Sequence, residues 1–151
     1  MIQKLIQKNK KAYFDYFIIE EFETGIKLKG SEVKSIREGN INLKGSFCKF
    51  FKNELFLFDC HISKYEFHDN SFNNLEEKRD RKLLLKRKEL NKIADILKFN
   101  QGQTIVPLNI YFNENNICKL TIGIAQGKKL YDKREVQKEK DVKRKLQQKD
   151  Y

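Results

Sequence analysis

Apolar and polar positions alternate most strictly in two segments near the end of the chain. From Thr104 to Phe112, the residues Val106, Leu108, Ile110 and Phe112 share one face of an extended backbone. From Ile117 to Ala125, Cys118, Leu120, Ile122 and Ile124 do the same, and Lys119 and Thr121 point the other way. Asn113-Glu114-Asn115-Asn116 reads as the turn between them. Pro107, the only proline, lies inside the first of these strands and points to an edge or a bulge there.

Earlier segments carry the same signal less cleanly. Tyr13 to Leu28 is rich in aromatic and β-branched residues (Tyr13, Phe14, Tyr16, Phe17, Ile18, Ile19, Phe22) and reads as a long strand or two strand pieces, with Gly25 marking a bulge or bend. Two strands are expected at about 46–52 and 54–62, turning at Lys52-Asn53-Glu54. Helical spacing appears twice. Val33 and Ile36 share one side of a short helix that Ser31 can cap and Gly39 stops. Leu90, Ile93, Ala94 and Leu97 define a longer helix from about Lys86 to Lys98, ended by Asn100-Gln101-Gly102. Leu83-Leu84-Leu85 either opens that helix or forms a short strand before it. Residues 1–12 read as a flexible basic arm and 63–79 as a polar loop. The order fits a mainly β fold, an OB-like antiparallel barrel of about six strands with two to three helices, over residues 13–127.

Residues 128–151 break the pattern. After Gly127 only Leu130, Val136, Val142 and Leu146 are aliphatic, too few for a packing face. Ten lysines and arginines stand there against five carboxylates, in a chain of 151 residues whose net charge is +11. Such a basic tail is expected to be disordered when free and to order on a polyanionic partner. Two further cationic spots lie on the body, Lys78, Arg79, Arg81 and Lys82 (extended by Lys86, Arg87 and Lys88) and Lys128, Lys129, Lys133 and Arg134. Phosphate oxygens suit both, and neighbouring Tyr and Phe suit unpaired bases, so RNA is the favoured partner.

Enzyme chemistry is thinly represented. Gly127-Lys128-Lys129 lacks the pattern of a phosphate-binding loop. Cys60 and His61 are sequence neighbours, which on a strand face opposite sides, and His61 and His68 read as bystanders. Cys48, Cys60 and Cys118 are odd in number and widely spaced, against a disulfide framework or a zinc site. No cofactor and no metal is expected, no membrane association, and a cytoplasmic location.

Four blocks then carry a resemblance. Asn9-Lys10-Lys11-Ala12 with Asp15-Tyr16-Phe17-Ile18, the run Gly30-Ser31-Glu32-Val33-Lys34-Ser35-Ile36-Arg37-Glu38-Gly39, Arg81 to Leu90, and Gly127 to Arg134 resemble, in order, the signatures of the SmpB (SsrA-binding protein) family of bacterial trans-translation. The resemblance implies a monomeric, non-catalytic adaptor that binds the tRNA-like domain of tmRNA and stands in for its missing anticodon arm. It implies delivery of alanyl-tmRNA, with elongation factor Tu and GTP, to stalled ribosomes. By match to family positions, Asn9, Glu23 and Lys119 resemble tmRNA-binding residues, and the basic residues Lys10, Lys11, Arg79, Arg81, Lys82, Lys128 and Lys129 join them as expected RNA contacts. Glu23 is expected to accept from a base amine or 2′-hydroxyl, or to hold Lys119. The ribosome-engaging tail would carry Tyr131, Asp132, Lys133 and Arg134 and fold as a helix in the empty mRNA channel, supported by Glu139–Lys143 and Asp141–Lys145 spacings. Phe14 stands where many members carry His and Lys64 where many carry Pro.

Overall fold

A computed structural model describes residues 4–63 and 77–128. The strands are β1 (Lys4–Lys8), β2 (Tyr16–Ile26), β3 (Ile41–Asn42), β4 (Phe47–Phe51), β5 (Glu54–Phe58), β6 (His61–Ile62), β7 (Arg81–Leu84), β8 (Gln103–Phe112) and β9 (Cys118–Gly127). The helices are α1 (Lys10–Asp15), α2 (Gly30–Arg37) and α3 (Arg87–Phe99). Six antiparallel strands close in the order β8-β4-β5-β7-β2-β9 and back to β8, giving the OB-like barrel. β1 adds to β8 outside the ring, and β3 pairs β6 separately.

The core follows from alternation. Cys118, Leu120, Ile122 and Ile124 all point into it, with Leu55 and Leu57 from β5 and Leu83 from β7. α2 contributes Ile36 and α3 contributes Leu90 and Ile93. Leu83-Leu84-Leu85 resolves as a strand that ends before α3. The hairpin of β4 and β5 turns on Lys52 and Asn53, both at positive φ (51° and 66°), as a two-residue turn between right-twisted strands requires.

Several sequence expectations are corrected, the strand expected from Tyr13 among them, since residues 13–15 end α1 and β2 begins at Tyr16. Of the expected flexible arm, residues 4–12 form β1 and the start of α1. β1 pairs with Asn109–Phe112 of β8, and the Gln7 amide acts as a further backbone unit, donating to Ile41 O (2.7 Å) and accepting from Leu43 N (2.6 Å). α2 begins at Gly30, with Lys29 in the capping position; the Glu32 carboxylate, rather than Ser31, takes up an end group, the Lys29 N–H at 2.8 Å. The bulge of β2 lies between Ile18 and Glu20, not at Gly25.

The bulge that Pro107 announced does occur, between Pro107 and Asn109, and it overturns the expected shared face. Ile110 and Phe112 enter the barrel core, whereas Val106 and Leu108 turn outward and pack with Ala12 of α1 and Ala125 in a second, smaller core. Gly123 makes room for this. A Cβ there would lie 2.7 Å from Leu108 Cδ1 and 3.0 Å from Ile18 Cγ2.

One charged group lies at the centre of the fold. Arg81 is fully buried. Its Nε and Nη2 donate to Glu32 Oε2 (2.8 and 2.6 Å), and its guanidinium also reaches the carbonyls of Cys60, Glu77 and Arg79. Arg79 donates to the same carboxylate. Burial pushes the Glu32 carboxyl up, but hydrogen bonds from Arg79 and the Lys29 N–H, with the Arg81 charge and hydrogen bond, outweigh it and hold the group below its ordinary value.

Two stability outcomes follow from this packing. Gly123→Ala overpacks the small core and should cost about 1–3 kcal/mol in denaturant unfolding. Glu32→Gln leaves Arg81 buried without its counter-charge and should cost about 3–5 kcal/mol. Because the folded-state value of Glu32 is depressed, its ionised form stabilises fully above the ordinary 4.5. The gap between wild type and Glu32→Gln should therefore hold constant above that pH and shrink as pH falls through the lower folded-state value, as measured by unfolding at a series of pH values.

Candidate nucleic-acid interface

Register brings four strands into rows on the outer face of the barrel. Glu23 on β2 stands opposite Thr121 on β9, Thr121 opposite Asn109 on β8, and Asn109 opposite Lys8 on β1. The adjacent row runs Gly25, Lys119, Tyr111, Leu5. Their strand neighbours Ile26, Leu120, Ile110 and Phe112 fill the core, so alternation turns these two rows outward. The Tyr111 hydroxyl donates to the Glu23 carboxylate. Lys8 Nζ sits 4.8 Å from the centroid of the Tyr13 ring, and Asn109 Nδ2 reaches the Tyr13 hydroxyl at 3.4 Å.

Beyond Gly25 the surface drops into a cleft of about 680 Å³, lined by Glu23 and Lys119 from the sheet and by Lys82, Leu84 and Lys86 from β7 and the approach to α3. Gly25 brings these walls together. It pairs with Leu84, and a Cβ on it would lie 3.2 Å from Leu84 Cβ. Two other carboxylates reach the rim, but Glu54 is paired with Arg87 and Glu89 accepts from the Lys86 N–H at the start of α3. Lysines around the Glu23 carboxylate suit a ligand with phosphates and with donors of its own. Lysines meet phosphate oxygens, and an acceptor-only carboxylate meets a base amino group or a 2′-hydroxyl. Of the alternatives for Glu23, the structure shows a further partner, Tyr111, which fixes the carboxylate from the sheet side.

Several expected contacts belong to the fold itself. Arg81 alternates with Lys82 along β7 and points inward, so it is corrected from an RNA contact to the buried partner of Glu32. Arg79 is largely committed to the same carboxylate, with its side chain 26% exposed. Asn9 is 6% exposed and is also corrected. Its Nδ2 donates to Pro107 O (2.8 Å) and Leu43 O (3.4 Å), and its Oδ1 accepts from Ala12 N as the cap of α1. Arg87 turns back to Glu54 (2.7 Å) and Asn53 O (2.8 Å). Lys10 and Lys11 are exposed on α1, and Lys11 pairs with Asp15 at 3.2 Å. Lys128 lies past the end of β9, its Nζ 4.9 Å from the centroid of the Phe17 ring. Lys129, Tyr131, Asp132, Lys133 and Arg134 lie outside the described residues, as do His68 and the loop residues 64–76.

Sequence reading missed Lys8, Tyr13, Asn109 and Tyr111. Only the parity switch at Pro107 places Asn109 and Tyr111 beside Lys119 and Thr121, and the proline was the one available signal.

The thiols are poor nucleophiles. Burial raises Cys60 and Cys118 to about 12, and pushes Cys48 higher still. His61 Nε2 is taken by Glu77 at 2.5 Å. Among the described residues no group of three His, Cys, Asp or Glu side chains is placed to hold a metal, and no helix is long and apolar enough to cross a membrane.

Comparison with known proteins fits this architecture. The model of the SmpB protein family matches residues 6–150. The SsrA-binding protein of Rickettsia bellii (strain OSU 85-389) is 52% identical over 142 residues, covering 94% of this chain and 92% of that one. The SsrA-binding protein of Geotalea uraniireducens (strain Rf4) is 50% identical over 144 residues, covering 95% and 93%. A chain in the solved structure described as "tmRNA-SmpB: a journey to the center of the bacterial ribosome" is 43% identical, with a TM-score of 0.65 over 81% of this chain and 83% of that one. With the match running from β1 through the basic C-terminal residues, this chain belongs to the SmpB family.

Proposed function

We propose that this protein is a non-catalytic RNA-binding adaptor of trans-translation, which binds the tRNA-like domain of tmRNA and brings it to stalled ribosomes. The observation that carries this reading is the family match over residues 6–150, together with relatives near 50% identity that are SsrA-binding proteins. The cleft is consistent with it. Glu23 and Lys119, which the resemblance puts at RNA-binding positions, lie on the surface and line one depression with Lys82 and Lys86. In this reading phosphates sit on the lysines, and Glu23, held by Tyr111, selects a hydrogen-bond donor that bulk phosphate lacks.

The barrel then takes the place of the missing anticodon arm, and alanyl-tmRNA arrives with elongation factor Tu and GTP. Residues 128–151, with Tyr131, Asp132, Lys133 and Arg134 at their start, enter the empty mRNA channel and become helical there. A segment with ten cations and five carboxylates after Gly127 and almost no apolar face suits an RNA-walled tunnel better than a protein core.

Competition binding of tmRNA against bulk tRNA at fixed salt tests the assignment; equal affinity for the two would remove it. Lys119→Ala with Lys82→Ala should weaken tmRNA binding and make the salt dependence shallower by about one unit of log–log slope for each phosphate no longer neutralised. Truncation before Tyr131 should leave tmRNA affinity within about threefold, since the phosphates are held by the barrel, while abolishing the tagging of stalled peptides in a reconstituted translation assay. Failure of the truncated protein to bind RNA would contradict the division between barrel and tail.

A further inference from the structure

The outer face of β4 and β5 carries an aromatic strip that no part of the proposed function uses. Phe47 pairs in register with Phe58, Lys49 with Phe56, and Phe51 with Glu54. The alternating positions Cys48, Leu55 and Leu57 fill the core, so these residues face outward. The rings of Phe47 and Phe58 stack, with centroids 5.5 Å apart and planes 16° from parallel. Phe51 meets Phe56 edge-on at 6.1 Å, and Phe56 lies 6.4 Å from Phe58. Cross-strand aromatic pairs stabilise a sheet, which accounts for rings meeting each other. It does not account for their outer faces. Phe47 is 37% and Phe51 57% exposed.

Cations surround the strip. Lys49 lies within it and Lys82 beside it, opposite Phe56 on β7. Lys52 Nζ stands 5.4 Å from the centroid of the Phe51 ring. Of the carboxylates nearby, Glu54 is paired with Arg87, and Asp59 follows Phe58 at the far end. Flat π faces interleaved with ammonium groups fit a chain of unpaired bases joined by phosphates. The bases stack on the rings and the backbone tracks the lysines. An apolar protein partner would gain nothing from the lysines, and a duplex offers no free base face to the rings.

We propose that the β4–β5 face binds single-stranded RNA by stacking unpaired bases on Phe47 and Phe51, as a second RNA site beside the Glu23–Lys119 cleft. Lys82 joins the two. It lines the cleft and pairs with Phe56, so an RNA held in the cleft can run its unpaired continuation onto the strip. The site goes beyond the proposed function and stands on its own observations.

The test uses the full chain and a fluorescein-labelled single-stranded RNA ten-mer, followed by anisotropy at fixed salt. Phe51→Leu and Phe47→Leu keep apolar bulk and remove the π face; each should weaken binding about tenfold, as removal of one base stack does. Lys49→Gln, at an exposed position, should make the salt slope shallower by about one. Lys119→Ala should weaken tmRNA binding more than ten-mer binding, and the Leu variants the reverse, which separates failure of this site from failure of the cleft. Thermal unfolding of each variant confirms that it folds. The proposal is overturned if both Leu variants bind the ten-mer as wild type does, or if wild type prefers a blunt duplex of equal charge. A photo-crosslinking phenylalanine analogue at position 51 in ribosome-bound protein should label RNA; labelling of protein alone would make the strip a protein-docking face and would also overturn it.

Discussion

The bulge between Pro107 and Asn109 breaks the two-residue period of β8, and the rest of the surface depends on that break. Val106 before it and Leu108 within it face outward and seat α1; downstream, Ile110 and Phe112 face inward and Asn109 and Tyr111 take the outer positions. A regular strand would bury what this one shows. With no bulge, Tyr111 would leave the face that carries Glu23, and the carboxylate would lose the hydroxyl that holds it. The proline enforces the irregularity because it cannot donate to the ladder, and Asn9 makes use of it by donating to the Pro107 carbonyl. One local defect therefore ties together the N-terminal helix, the outer sheet and the candidate RNA cleft.

The same defect marks the boundary of what was legible in the sequence. Alternation in Cys118 to Ile124 read correctly because β9 runs without a break and these residues all face the barrel core. The barrel class and the two helices carrying Ile36 and Leu90 also followed from the pattern along the chain. Lys119 and Thr121 could be seen to share a face, but their neighbours come from β2, β8 and β1, and register between distant strands leaves no trace in one sequence. The N-terminal residues misled for a related reason. β1 is short and polar, and what orders it is pairing with β8 and the Gln7 amide bridging to Ile41 and Leu43. Glu23 and Lys119 came from family resemblance, not from any pattern in charge.

Charge count was a poor guide to charge location. The run Arg79 to Lys82, broken only by Asp80, looks like one cationic spot, yet a strand sends neighbours to opposite sides. Arg81 went inward to a buried carboxylate, and Arg79 followed it to the same partner. Glu32 therefore has a different role from Glu23. One carboxylate is shared by two guanidinium groups inside the fold; the other stands among lysines on its surface. Substituting Glu32 acts through stability, which an unfolding measurement reads directly.

The ring of strands is not equally strong all the way round. β2 and β9 run together for most of their length, whereas β4 meets β8 through the single register pair of Cys48 and Ile105. Local openings of a closed sheet start where the ladder is shortest. Cys48 therefore sits at the seam, a shielded thiol that turns reactive only when the two strands part. Trapping it with a small alkylating reagent would time the breathing of the barrel.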